Sequence, residues 1–140
     1  MSITNLSSLL VTTKTAEVDY PGLSGFKVNV SFLAREEIIK IRKKATKVTF
    51  KNRQQVEEVN DELFLQLYTN AVIKGWDGLK LRHLETLVPI DLSGQKDLEA
   101  ELDYTEENAL MLMKNSTEFD AFISETVGDL GNFNKSNGKD

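Results

Sequence analysis

One histidine, no cysteine and a scatter of carboxylates are the side chains that could do chemistry here. His83 could serve as a general acid or base, but it stands alone in an apolar stretch with no thiol to activate. A structural or surface role is expected for it. Without cysteine, disulfides, thiolate catalysis and a cysteine zinc site are all excluded. Asp97, Glu99, Glu101 and Asp103 could ligate calcium, yet they alternate too regularly, and no glycine supplies the sharp turn at the sixth position of such a loop. They read as a solvated acidic loop. The C-terminal Gly138-Lys139 pair is no phosphate loop, because Phe133 stands where its first glycine belongs. Glu57 and Asp61, one helical turn apart on an expected exposed face, read as solvated carboxylates rather than an acid–base pair. No catalytic residue, cofactor site or metal site is therefore expected, and the chain reads as a binding protein rather than an enzyme.

Lys40, Arg42, Lys43, Lys44, Lys47, Lys51 and Arg53 form a run without a single acid, which could hold a phosphate backbone. Phe50 is its only aromatic. Gly75-Trp76-Asp77-Gly78 has the form of a KH loop, but tryptophan and aspartate sit poorly against phosphate. A solvated helix end or a complement to an acidic partner is the commoner reading, so nucleic-acid binding is disfavoured. Charge is polarised along the chain. Residues 1–90 hold 13 Lys/Arg against 10 Asp/Glu, and residues 91–140 hold 4 against 12. A basic front and an acidic back bear on association more than on fold.

The elements that must position these residues follow from periodicity. Ser8 to Thr12 is a weak edge-strand candidate, and Tyr20-Pro21-Gly22 is a turn signal. Phe26, Val28, Val30 and Phe32 alternate with polar residues as a half-buried strand does. It is expected to pair with the N-terminal segment or with Val48-Thr49-Phe50. Ala34, Ile38, Ile41 and Ala45 then form one stripe of a first helix. A longer helix is predicted from Asn52, its N-cap, to Gly75, with Val56, Val59, Leu63, Leu67 and Ala71 in one stripe and Phe64, Tyr68 and Val72 beside it. Leu79 to Leu92 reads as irregular and Ser93 to Asp103 as a loop. Thr105 and Ser116 cap two short helices. The first buries Leu110, Leu112 and Met113, and the second buries Phe119, Phe122, Ile123 and Val127. The expected fold is mainly α (α+β): a small N-terminal β-hairpin or short sheet, then about four helices packed on one long central helix. Residues 1–130 form a single domain in this reading and 131–140 a flexible C-terminal tail.

The 140 residues suffice for one modest core. The first residues lack a basic region followed by an apolar run, and no stretch approaches the ~18 apolar residues of a membrane span. The cytoplasm is the expected compartment.

Three ordered segments resemble the tail assembly chaperones of long-tailed bacteriophages. Residues 71–79, ending Gly75-Trp76-Asp77-Gly78-Leu79, look like that family's helix ending in a Trp-x-Gly turn. Tyr104-Thr105-Glu106-Glu107-Asn108-Ala109-Leu110 is similar to its capped helix start. Ser116-Thr117-Glu118-Phe119-Asp120-Ala121-Phe122-Ile123 is similar to its closing helix. The resemblance spans roughly residues 18–133, and its structural motif residues are Trp76, Gly78, Thr105, Asn108 and Ser116. Each also has a plain structural role: Trp76 plugs the core beside the long helix's end, and Gly78 permits positive φ.

The resemblance implies a phage tail assembly chaperone that binds the tape measure protein, keeps it soluble and helps recruit tail tube subunits. Such a protein works in the host cell cytoplasm and is not expected in the mature virion. Members are often also made in a longer form by frameshifting, and Gly138-Lys139 is compatible with a slippery codon run. A task of this kind needs exposed apolar side chains on a highly charged body. Met111, Met113, Phe119 and Phe122 are the candidate partner-binding residues, the methionines as adaptable apolar contacts; a core role stays open for both phenylalanines. Tail tube protein is a further expected partner, self-association is open, and no membrane partner is expected. The alternatives are a structural head–tail connector or tail completion protein of the virion, and then a small nucleic-acid-binding regulator.

Overall fold

The computed structural model describes residues 5–10, 13–129 and 131–134. Its fold is α+β, with 45% helix and 26% strand, and the five strands fall into two sheets. The expectation of helices packed on one long central helix is thereby overturned. After a single 3-10 turn at Leu6–Ser8, strands β1 (Thr13–Asp19) and β2 (Lys27–Leu33) form an antiparallel hairpin. Strand β5 (Ile73–Asp77) pairs on the other side of β2, so the sheet order is β1-β2-β5. The alternating segment around Val28 is thus the central strand, partnered by the N-terminal segment. Val48-Thr49-Phe50, the other expected partner, pairs elsewhere. The edge strand expected at Ser8 to Thr12 is absent from Ser8–Leu10; residues 11 and 12 lie outside the described residues.

Helix α1 (Arg35–Lys44) follows β2 directly. Its acids, Glu36 and Glu37, sit in the first turn, and Arg42, Lys43 and Lys44 in the last, each matched to the helix dipole. Part of the basic run is therefore explained by helix electrostatics alone.

The predicted long helix does not begin at Asn52. Strands β3 (Thr46–Lys51) and β4 (Gln54–Val59) form a second, two-stranded hairpin. Asn52 and Arg53 make its two-residue turn, both with positive φ, at 52° and 66°. Two successive left-handed residues give the turn twist that matches antiparallel strands. Its base is closed where the Asn60 N–H donates to the Ala45 carbonyl at 2.8 Å. Val56 and Val59, read as the start of a helical stripe, belong to β4.

Helix α2 (Asp61–Val72) starts only at Asn60, whose side chain accepts from the Leu63 N–H at 3.0 Å. Its buried residues are Thr69 and Val72, with Leu65 and Tyr68 packed against the core. That face runs i, i+4, i+7 from Leu65; it keeps Tyr68, Ala71 and Val72 of the two expected stripes and takes Leu65 and Thr69 in place of Leu63, Phe64 and Leu67. The helix gives way at Ile73 to β5, so Gly75 lies in a strand and is no helix stop. A register shift opposite Asn29 and Val30 lets both Ile73 and Trp76 turn inward despite their three-residue spacing.

Helix α3 (Leu81–Leu87) occupies part of the stretch expected to be irregular. Helices α4 (Glu106–Asn115) and α5 (Thr117–Gly128) follow the acidic loop and share Ser116 as the joint. Helices α2 and α5 pack on β2, and the core joins Phe26, Val28 and Val30 to Ile73, Leu112, Phe119 and Ile123. The C-terminal boundary also needs correction. Gly131–Asn134 forms a short helical turn, α6, and Phe133 is buried edge-on against Phe32. The expected tail therefore does not begin at Gly131; residues 135–140 lie outside the described residues.

Candidate protein-binding groove

Of the motif residues, Asn108 lines a groove, and Trp76, Thr105 and Ser116 fasten segments beside it. Trp76 is buried edge-on to Phe26 and Tyr104, and its indole N–H donates to the Leu102 carbonyl at 2.9 Å. The Tyr104 hydroxyl donates to the Ile73 carbonyl at 3.2 Å. Two side-chain bonds thus fasten the chain around residues 102–104 to strand β5. Burial pushes the Tyr104 phenol up, helped by the charge of Glu106, which keeps it a donor. Next, the Thr105 hydroxyl accepts from the Asn108 N–H at 2.9 Å, and the Asn108 side chain donates back to the Asp103 carbonyl at 3.0 Å. Helix α4 is capped from both directions. The Ser116 hydroxyl, itself buried, accepts from the Phe119 N–H at 3.0 Å and caps α5.

The opposite wall is α3 and the apolar residues after it. The acids of the acidic loop are exposed, as expected, but its backbone is tethered. Leu102 and Ala100 exchange backbone hydrogen bonds with Leu79 and Leu81, and Glu99 accepts from Lys80 at 2.8 Å and from Arg82 at 2.6 Å. The Lys80 bond, joined by Arg82, holds the Glu99 carboxyl below its usual range. Between the walls lies a groove of about 350 Å³ lined by Leu84, Val88, Pro89, Ile90, Leu102 and Met111, among others.

His83 caps α3 from within. It is buried, and its Nδ1 accepts from the Lys80 N–H at 3.1 Å. Burial, reinforced by the positive charges of Arg82 and Lys80, lowers its pKa from the usual 6.5. A lowered value means that the unfolded chain binds the proton first as pH falls. The capping contribution is whole above pH 6.5 and declines below it, because protonation converts Nδ1 from acceptor to donor. Melting temperature should therefore fall as pH drops from 7 toward 5 more steeply in the wild type than in His83→Gln. Parallel curves would show that His83 binds its proton equally in the folded and unfolded states.

The four candidate partner-binding residues do not share a surface. Met113 and Phe119 are in the core, and Phe122 is partly buried with its ring 4.6 Å from that of Tyr20. Met111 alone is open, 50% exposed, and it lines the groove. Sequence reasoning missed Val88, Pro89 and Ile90, although two β-branched apolar residues flanking a proline, with Ile90 left 41% exposed, carry a usable signal. Glu57 and Asp61 are separated onto β4 and α2, and Gly75 to Asp77 of the supposed KH loop are strand.

Among the described residues, no helix is long and apolar enough to cross a membrane and no group of three or more potential ligands could hold a metal. No curated protein and no solved structure gives a significant match. The family model of the YdaY prophage protein matches residues 31–140, which takes in every element from the end of β2 onward, and the chain belongs to that phage-derived family.

Proposed function

We propose that this phage protein is a tail assembly chaperone that binds the tape measure protein, keeps it soluble and helps recruit tail tube subunits. The observation that supports it is the apolar groove around half-exposed Met111, between residues 84–90 and the acidic C-terminal part of the chain. An apolar ridge of a long partner helix, read at i, i+3 and i+4, suits a groove of this kind. The work is binding without catalysis, carried out in the host cytoplasm and finished before the virion is complete. Methionine at the centre favours contact with many similar helix faces over one tight lock.

Coexpression with the cognate tape measure protein tests the reading. Wild type should raise its soluble fraction, and Met111→Asp should remove most of that gain while melting like wild type, since the side chain is half in solvent. Leu112→Asp, in the core one residue away, should unfold the protein and marks the opposite case. A wild type that gives no protection at equal expression, or a protein recovered from purified virions, would overturn the chaperone reading.

A further inference from the structure

Residues 91–101 leave the body of the protein after the groove wall and return to it without burying a side chain. Every one of them is exposed except Leu92, which is partly covered. What holds the segment is polar. The Leu81 backbone N–H donates to the Ala100 carbonyl at 2.9 Å and that of Arg82 to the Leu98 carbonyl at 3.0 Å. Both donors lie in the first turn of α3, where an N–H has no acceptor within its own helix. One carboxylate supplies the main side-chain hold. Glu99 accepts from the Lys80 ammonium through one oxygen and from the Arg82 guanidinium through the other.

The two ends of the segment are fixed unequally. Beyond it, the Leu102 carbonyl accepts from Trp76 and the Tyr104 hydroxyl donates to Ile73. Before it, Pro89 and Ile90 make no hydrogen bond among the described residues. That stretch of groove wall is placed by α3 on one side, where the Val88 N–H donates to the Leu84 carbonyl at 2.9 Å. On its other side only the exposed segment follows.

We infer that residues 91–101 are a strap that opens from α3 while the rest of the domain stays folded, with Glu99 as its catch, and that the closed strap sets the Val88–Ile90 wall of the groove. A segment with no buried side chain and exposed hydrogen bonds opens at less than the global cost of unfolding. A single exposed ion pair would hold it weakly, but two cations on one carboxylate form a network. Salt screens that network and loosens the catch. The groove thereby has a tight and a loose form. As regulation of client binding the strap rests on the chaperone reading, but its test needs no client, so the two can fail separately.

Residue-resolved amide exchange of the full chain is the test, on wild type and Glu99→Gln at low and high salt. The Leu81 and Arg82 amides lose their acceptors when the strap opens, whereas the amide of buried Ile123 in α5 reports global unfolding. In Glu99→Gln the first two should exchange about 2- to 30-fold faster, the effect of losing two exposed ion pairs, with Ile123 exchange and melting temperature unchanged. The methyl resonances of Val88 and Ile90 should shift in that variant and those of Ile123 should not. Added salt should speed the Leu81 and Arg82 amides of wild type and barely affect those of the variant. Lys80→Gln combined with Arg82→Gln removes the catch from the other side, and replaces Glu99→Gln should that variant melt below wild type. Unchanged exchange at Leu81 and Arg82, an equal rise at Ile123, wall methyls that do not move, or the same salt response in both proteins would each overturn the inference.

Discussion

Gly78→Ala is expected to cost about 2–5 kcal/mol, the most damaging glycine-to-alanine change among the described residues. Gly78 has φ +78, a conformation that costs an L-residue about 1–2 kcal/mol. A Cβ there would also collide with the Gly25 carbonyl oxygen, with its carbon 2.9 Å away and the Phe26 Cα at 3.5 Å. Those are backbone atoms of the turn that leads into β2, and no rotamer change can move them. Prying them apart adds about 1–3 kcal/mol, as overpacking of a close-packed site does. Gly22 provides the control. It also has positive φ, at 85°, but a Cβ there meets open space, so Gly22→Ala should show the conformational cost alone. Urea unfolding of both variants separates the two contributions. Equal midpoints would mean that the β1–β2 turn and Gly78 do not touch in solution.

That contact joins residues more than fifty apart in sequence, and it marks the limit of what the chain discloses locally. Positive φ at Gly78 could be read from a Trp-Asp-Gly turn; the carbonyl pressed against it could not. The caps at Thr105 and Ser116 were legible for the same reason as the turn, since a hydroxyl satisfying a helix N–H is a contact within three residues. The central strand announced itself through alternation, because one side of its Phe26–Phe32 pattern enters the core. The β3–β4 hairpin gave only half of such a signal, since Val48-Thr49-Phe50 reads as a strand and Val56 to Val59 does not. With no side chain fully buried, β4 is under little pressure to alternate, and Val56 and Val59 fell by chance on a helical spacing continuing into α2. Its turn uses Asn52-Arg53 without the glycine that usually betrays two left-handed residues. Strand β5 was hidden differently. Five residues with a bulge carry little pattern of their own, and what makes them a strand is pairing with β2.

The groove shows the same division. Within α4, Ala109, Leu112 and Met113 are buried at helical spacing, and Met111 must then face away. One wall was therefore legible from the helix alone. Composition could not separate Met111 from Met113, or either from Phe119, because an apolar side chain looks alike in a core and on a contact surface. The opposite wall depends on Val88 to Ile90 after α3, and Leu102 beside α4 depends on a tryptophan twenty-six residues earlier in sequence.

Trp76→Ala should cost about 3–5 kcal/mol, the usual penalty for emptying a site filled by a large buried aromatic. Trp76 is only 7% exposed and lies between Phe26 on one side and Tyr104 on the other, with centroid separations of 6.4 and 5.2 Å. Its removal takes a packing partner from β2's approach, from β5 and from the segment before α4 together. It also leaves the Leu102 carbonyl without its indole donor, and a buried acceptor left unpaired costs about 1–3 kcal/mol. Trp76→Phe isolates that second part, because the ring fills most of the space but offers no N–H. The expected order of melting temperatures is wild type, then Phe, then Ala. The chain has one tryptophan, so its fluorescence reports the site directly in the wild type: emission should be that of a shielded indole and shift to longer wavelength only in the global transition. Emission typical of solvent-exposed indole before any denaturant is added, together with an alanine variant that melts like wild type, would show that Trp76 does not hold the groove wall.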